Sequence, residues 1–271
     1  MTTNAEDNRQ ADSVIVGTRP ESDLPEKDWP ELVRQIRART PARLLEGRAG
    51  AAYRTATQMD LRQAHAAARD AVRTELDMEK QLGAEFIKQW GLFEVSTEAR
   101  SKDEYLLKPN LGRVFCATAR SELSQRCPAG CNLQIAIGDG LSVTAVVAQV
   151  PKLLPPLYDG AKARGWPLGQ PFVIRHCRVG ILNQIGELLA PTVAVLLIGE
   201  RPGLATAESL SAYMAYRPRK THTDADRNLI SNIHSRGVSS AEAAARILDL
   251  AAQMMSAKLS GTRLDTDPSL P

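Results

Sequence analysis

The chain has 271 residues, enough for one large domain or two modest ones. Its hydrophobic content of 43% is that of a globular protein, whereas a net charge of +3 and an aromatic content of 4% argue against a nucleic-acid-binding surface. The N-terminus lacks an apolar signal region and no segment is long enough to span a bilayer, so we expect a cytosolic protein with reduced cysteines.

The first half of the chain is predicted to be a flexible leader followed by helices. Residues 1–28 are polar and contain little that a core would bury, which is typical of a leader. Residues 29–129 are predicted to be mainly helical. One helix is expected from Pro30 to Arg39. The spacing predicts another from Met59 to Leu82, and the residues on one of its faces are Leu61, Ala64, His65, Ala68 and Val72.

The same region carries a cluster of arginines. Nucleic-acid binding is one interpretation of such a cluster. A solvated face, or a surface that binds an acidic protein, is favoured because Glu31 and Glu46 interrupt the cluster and no aromatic residues interleave with it. The arginines are Arg34, Arg37, Arg39, Arg43, Arg48 and Arg54.

The second half is predicted to be an α/β domain, from residue 130 to residue 262. Its three short apolar runs lie at residues 133–140, 171–179 and 192–200, and helical stretches separate them. Strands that alternate with helical crossovers indicate a mostly parallel sheet of the doubly wound, Rossmann-like type. The third run is apolar enough for a strand buried on both faces.

A last helix is predicted near the end of this α/β domain. Ser239 and Glu242 have the spacing of a capping box, and Gly261 is expected to close the helix. Residues 263–271 are predicted to be a tail.

Polar segments follow all three predicted strands. They read GDGLS, RHCRV and GERPG, and two of them are rich in glycine, which lets backbone approach a ligand closely. Because open α/β sheets bind ligands beyond the carboxyl ends of their strands, these segments predict a ligand site. In the last of them, Glu200 is expected to act as a general base, or else to pair with Arg201 or cap a neighbouring helix.

Three enzyme-like motifs are incomplete. GDGLSV has Val143 where a dinucleotide fingerprint has its third glycine, and the acidic Asp159 is expected inside a helix. Ser142 has Thr144 where a nucleophile elbow has glycine, so a helix N-cap is the favoured interpretation. Cys127 and Cys131 have metal-like spacing but no second pair of ligands nearby, which favours buried thiols. No catalytic dyad and no metal site are therefore predicted.

Several longer segments resemble the small-subunit family of ethanolamine ammonia-lyase. They read RSKDEYLLKPNLGR, NQIGELL, LIGERPGLATAESLSAYMAYRPR and DADRNLISNIHSRG. The resemblance runs from about residue 30 to about residue 260. Because these segments occur in order and at similar spacing, they are far more specific than any single glycine motif.

The resemblance implies an adenosylcobalamin-dependent lyase that converts ethanolamine to acetaldehyde and ammonia by a radical mechanism. In that family a TIM-barrel large subunit binds the substrate, and the small subunit covers the barrel mouth and helps to hold the cobalamin. The active complex is a higher hetero-oligomer in the cytoplasm or in a bacterial microcompartment. The resemblance therefore implies that this chain contributes cofactor binding and enclosure, and no catalytic residue.

Carried over by position, the family's cobalamin contacts fall on Val179, Glu200 and Leu229. The family can have cysteine at this last position, so a role that requires a thiol is excluded here. No histidine has Asp two residues before it and Gly three residues after it, which implies that the cofactor keeps its own dimethylbenzimidazole on cobalt. The competing hypothesis is a non-catalytic scaffold protein that binds a nucleotide at the same sheet.

Overall fold

A computed structural model describes residues 31–40, 43–46, 48–203 and 205–265. The predicted leader, residues 1–28, lies outside the described residues, as do residues 266–271 of the predicted tail. The contacts divide the chain into two compact units, residues 1–59 and residues 60–271. No helix within the described ranges is long and apolar enough to cross a membrane.

The described part of the first unit contains a helix and a short hairpin. Helix α1 is Glu31–Ala38, close to its predicted bounds, and the strands β1 (Arg48–Ala49) and β2 (Ala52–Tyr53) pair antiparallel. Two arginines of the cluster form ion pairs with the two glutamates that interrupt it: Arg34 with Glu31, and Arg37 with Glu46 at 2.9 Å.

Among the described residues, five further helices precede the main part of the sheet. They are α2 (Thr55–Arg73), α3 (Met78–Leu82), α4 (Ala84–Trp90), α5 (Lys102–Leu107) and α6 (Ala117–Arg126). The prediction of one helix from Met59 to Leu82 was wrong beyond Arg73. Asp77 has extended backbone angles and its carboxylate accepts a hydrogen bond from the Lys80 amide, so it caps a new helix instead of continuing the old one.

The sheet has six strands in the order β3-β5-β4-β6-β7-β8. Strands β4, β5 and β6 are the three predicted ones and are parallel, and β3 joins them in parallel beside β5. Strands β7 and β8 were not predicted. Strand β7 runs antiparallel to β6, and β8 runs antiparallel to β7, so the sheet is mixed. The Rossmann-like assignment stays a prediction. The strand bounds are β3 Glu94–Ser96, β4 Leu133–Gly138, β5 Phe172–Arg175, β6 Val193–Gly199, β7 Leu210–Tyr216 and β8 Asn228–Ile233.

Helices cover both faces of this sheet. Helix α7 (Val143–Ala163) connects β4 to β5 and packs with α9 (Ser240–Ala257) on one face, whereas α6 and α8 (Leu182–Leu189) pack on the other. Strand β6 alternates between the two cores, with Val195 facing one and Leu196 the other. All its residues are buried, which confirms the prediction of a strand buried on both faces.

The last predicted helix begins as expected but ends earlier. The Ser239 hydroxyl accepts a hydrogen bond from the Glu242 amide and caps α9. The helix ends at Ala257, where Lys258 adopts left-handed angles, so the prediction that Gly261 closes it was wrong. Gly261 instead lies in the turn before the short helix α10 (Thr262–Asp265).

Candidate functional site

A cavity opens beyond the carboxyl ends of the parallel strands. Strand β4 lies between β5 and β6 in the sheet. Helix α7 connects β4 to β5 on one face, and α8 connects β5 to β6 on the other face, so the direction of winding reverses at β4 and β5. Open α/β sheets bind ligands at such a reversal. The cavity has a volume of about 310 Å³ and is lined by residues that follow all three strands: Gly140 and Leu141, Cys177 to Val179, and Gly199 to Arg201.

The antiparallel strands form another wall of this cavity, and Tyr105 also lines it. Ser211 and Tyr213 come from β7, and Leu229 and Ser231 come from β8. The structure therefore brings all three predicted site residues, Val179, Glu200 and Leu229, into one cavity. Ser211 and Tyr213 were missed because β7 was not recognised as a strand, although its uncharged segment LSAYMAY is a signal of one.

Glu200 is half-buried and is held by neighbouring strands. Its Oε1 atom accepts hydrogen bonds from Ser211 Oγ at 2.6 Å and from the Asn232 amide at 3.0 Å. Among the described residues the carboxylate neither pairs with Arg201 nor caps a helix, so neither of those two alternatives holds. Oε2 has no hydrogen-bond partner among those residues and is available to a ligand.

The other two predicted residues provide apolar surface. Val179 begins a 3-10 turn, Val179–Ile181, and is half-buried. Leu229 is 47% exposed although it lies in a strand. Tyr213 also lines the cavity and is paired with Leu229 across β7 and β8, and its pKa is raised by burial and by the charge of Glu200. The cavity thus combines apolar surface with one carboxylate and two guanidinium groups, which suits a large ligand of mixed polarity.

Two glycines of the site allow neighbouring loops to approach each other closely. A Cβ atom on Gly199 would lie 2.0 Å from the carbonyl oxygen of Ser142, and one on Gly140, where φ is +58°, would lie 2.3 Å from that of Gly199. Glycine is required here because the protein's own backbone segments touch. At Gly203 the nearest atom would be 3.8 Å away, so that glycine meets no such restriction.

A buried carboxylate fixes the loop after β5. Asp139 is 1% exposed and accepts hydrogen bonds from the amides of His176 and Cys177, each at 2.8 Å. Burial raises the pKa of Asp139, and the nearby Lys102 ammonium opposes that rise. Lys102 is itself buried, which lowers its pKa, and it donates a hydrogen bond to the Gly140 carbonyl at 3.3 Å. Together they fix the loops after β4 and β5.

Residues of helix α5 also hold the loops after β4 and β5 in place. The Tyr105 hydroxyl donates to the Cys177 carbonyl at 2.9 Å, and the Arg178 guanidinium lies 4.2 Å from the centre of the Tyr105 ring. Lys102 and Tyr105 were not predicted as site residues. The signal for them was their position in RSKDEYLLKPNLGR, one of the segments that carry the family resemblance.

The start of helix α7 is already occupied by protein groups. The Ser142 hydroxyl accepts from the Ala145 amide at 3.3 Å, which confirms the N-cap prediction, and donates to the Ala207 carbonyl at 2.5 Å. Ser142 is fully buried, and Asp159 lies inside α7 as expected. A dinucleotide fold places its pyrophosphate at this helix terminus. The Ala207 carbonyl lies there instead, which argues against both the nucleotide-binding and the nucleophile interpretations.

The interpretation of Cys127 and Cys131 as buried thiols is confirmed. Cys127 and Cys131 are buried free thiols, and burial raises the pKa of Cys127 to about 11. Cys127 is therefore not a thiolate at neutral pH, and burial raises the pKa of Cys131 in the same direction. Within the part of the chain that the structure describes, no group of three or more His, Cys, Asp or Glu side chains could hold a metal ion.

These features define an α/β protein with helices on both faces of a mixed sheet and a cavity at the carboxyl edge of its parallel strands. The chain matches the family described as ethanolamine ammonia-lyase light chain (EutC) over residues 30–265, and it belongs to that family. It is 41% identical over 230 residues to the ethanolamine ammonia-lyase small subunit of Clostridium perfringens, covering 85% of this chain and 76% of that relative. The family resemblance of the sequence is thereby confirmed.

Proposed function

We propose that this chain, as the small subunit of an adenosylcobalamin-dependent ethanolamine ammonia-lyase, holds the cofactor in the cavity at the carboxyl edge of its sheet. Family membership supports the reaction, the conversion of ethanolamine to acetaldehyde and ammonia. The observation that carries the cofactor assignment is the meeting of Val179, Glu200 and Leu229 in one cavity. They come from three separate segments of the chain.

The cavity fits one part of such a cofactor. A corrinoid is much larger than 310 Å³, so it would rest on this surface with its remainder covered by another protein. Val179 and Leu229 would contact its apolar edge, and the free oxygen of Glu200 would accept hydrogen bonds from its amides or ribose hydroxyl. No histidine is among the described residues that line the cavity. None of those lining residues would replace the cofactor's own dimethylbenzimidazole on cobalt.

The chain's own residues would bind and enclose rather than react. Adenosylcobalamin, when bound, supplies the radical chemistry. Asp139, Lys102 and Tyr105 hold the loops after β4 and β5 in place, so the cavity would be formed before the cofactor arrives. A TIM-barrel large subunit would bind ethanolamine and close the site against water. We propose a higher hetero-oligomer, located in the cytoplasm or in a bacterial microcompartment.

The test is reconstitution with a separately purified large subunit. With adenosylcobalamin and ethanolamine, the isolated chain is expected to form no acetaldehyde, because it has no substrate site of its own. Addition of the large subunit should restore turnover, measured by coupled reduction of the aldehyde. The control uses hydroxocobalamin, which lacks the adenosyl group. Acetaldehyde formation by the isolated chain would contradict the proposal. So would a large subunit whose turnover does not increase when this chain is added.

A further inference from the structure

We infer that a basic trough beside the cavity is the docking surface for an acidic segment of the large subunit, an inference that rests on the proposed function. The trough has a volume of about 390 Å³. We define it by Arg69, Val72 and Arg73 of helix α2, and by Arg178, Arg201 and Pro202 from the loops after β5 and β6.

Helix α2 lacks the packing that a helix of its length needs. It has 19 residues, and none of them is buried in the described structure. In water most helical stability comes from packing an apolar face against other elements. Leu61, Ala64, Ala68 and Val72 form such a face, and each remains partly exposed. A bound ion would leave this face uncovered, so the occupant is a polypeptide.

The charges of the trough specify an acidic occupant. Four guanidinium groups line it, and no carboxylate does so among the described residues. Arg69 and Arg201 form no ion pair within the described part of the chain. Arg73 pairs with Asp103 at 2.7 Å, but both side chains are more than half exposed, so water and salt screen that pair. The uncompensated positive potential favours a negatively charged partner.

The position of the trough identifies the large subunit as that partner. Leu141, Arg178 and Arg201 line both the trough and the cavity, so a protein in the trough contacts whatever lies in the cavity. Under the proposed function the large subunit closes the cavity. A second copy of this chain is disfavoured because a symmetric contact would place one trough, with its arginines, against the other.

The experiment measures binding of the full chain to the purified large subunit by biolayer interferometry. The variant Arg69→Glu/Arg73→Glu is expected to weaken the affinity by about ten-fold or more at low salt. The difference should shrink at 1 M salt, where the Debye length falls to about 3 Å. Lys162→Glu changes the charge of an exposed residue on α7 and should bind like wild type. Arg69→Lys keeps the charge and should also bind.

The outcomes separate this inference from the proposed function. Unchanged affinity of the double variant, or an equal loss in Lys162→Glu, would overturn the docking surface alone. A dimer of the chain by itself that the double variant dissociates would show a second copy as the occupant, and would also overturn it. Failure of the wild type to bind any large subunit would overturn the proposed function as well. Thermal melts of each variant confirm that it is folded.

Discussion

At the scale of single residues, the site contains groups that face the cavity and groups that hold its loops. Glu200 belongs to both, because one carboxylate oxygen binds strands β7 and β8 and the other is free. Asp139 and Lys102 only hold loops, since both are buried behind the cavity. A substitution of Glu200 can therefore change both the packing of the strands and the binding of a ligand. The choice of variant decides which of these two effects is measured.

We expect Glu200→Gln to weaken apparent cobalamin affinity by roughly ten- to a hundred-fold. A lost hydrogen bond to a charged group costs about 1.5–3 kcal/mol, and 1.4 kcal/mol is a factor of ten. Glutamine keeps an acceptor for Ser211 and Asn232, so the fold should be preserved. Titration of adenosylcobalamin into the reconstituted complex, with turnover at saturation, measures the effect. Affinity equal to wild type would remove Glu200 from the cofactor site.

Ser211→Ala is the matched control for this prediction. It removes the hydroxyl that donates to Glu200 and leaves the carboxylate in place. The melting temperature should fall while cobalamin affinity changes little. If Ser211→Ala weakened affinity as much as Glu200→Gln, the position of the carboxylate rather than its free oxygen would be the important property.

The two glycines of the segment GERPG should differ in how much their replacement by alanine destabilises the fold. Gly199→Ala would place a methyl group 2.0 Å from the Ser142 carbonyl, so we expect destabilisation of about 3 kcal/mol or more. Gly203→Ala makes only ordinary van der Waals contact, 3.8 Å at the nearest, and should change the free energy of unfolding by less than about 1 kcal/mol. Urea denaturation of both variants measures the difference, and equal effects would contradict the packing described here.

At the scale of elements, the start of helix α7 connects the sheet to the loop that follows β6. Ser142 caps the helix and also donates to the Ala207 carbonyl. Ser239 caps α9 with one comparable bond in a more exposed position. The two serines have the same chemistry in different surroundings, so they can be compared directly.

We expect Ser142→Ala to cost about 2 kcal/mol or more, and Ser239→Ala about 1 kcal/mol. The larger value follows because the Ala207 carbonyl also loses its donor. Chemical denaturation with a constant m-value gives both numbers. A cost for Ser142→Ala no greater than that for Ser239→Ala would show that the second hydrogen bond contributes nothing.

At the scale of the whole molecule, the family match begins at residue 30. Deletion of residues 1–28 should therefore leave turnover of the reconstituted complex within about two-fold of wild type, because the segment is too polar to contribute a core. The assay uses matched concentrations of both subunits, with the full-length chain as the control. Loss of turnover in a complex that still assembles would show that the segment contributes to catalysis.

The sequence by itself determined the strands β4 to β6, their parallel arrangement and the cap at Ser142. These features depend on local patterns, since apolar runs and capping residues act over a few neighbours. The same sequence also identified the family and the three candidate contacts through resemblance. The break in the helix after Arg73 was missed, because an apolar face continues across it while Asp77 competes locally for a cap.

Only the tertiary structure decided that Glu200 and Leu229 share a cavity, and that Asp139, Lys102 and Tyr105 support it. Strands β7 and β8 form their register through hydrogen bonds between distant segments, and no local period specifies that pairing. The need for glycine at position 199 was also decided by the tertiary structure. The Ser142 carbonyl that it contacts is 57 residues away in sequence and approaches it only when the sheet is assembled.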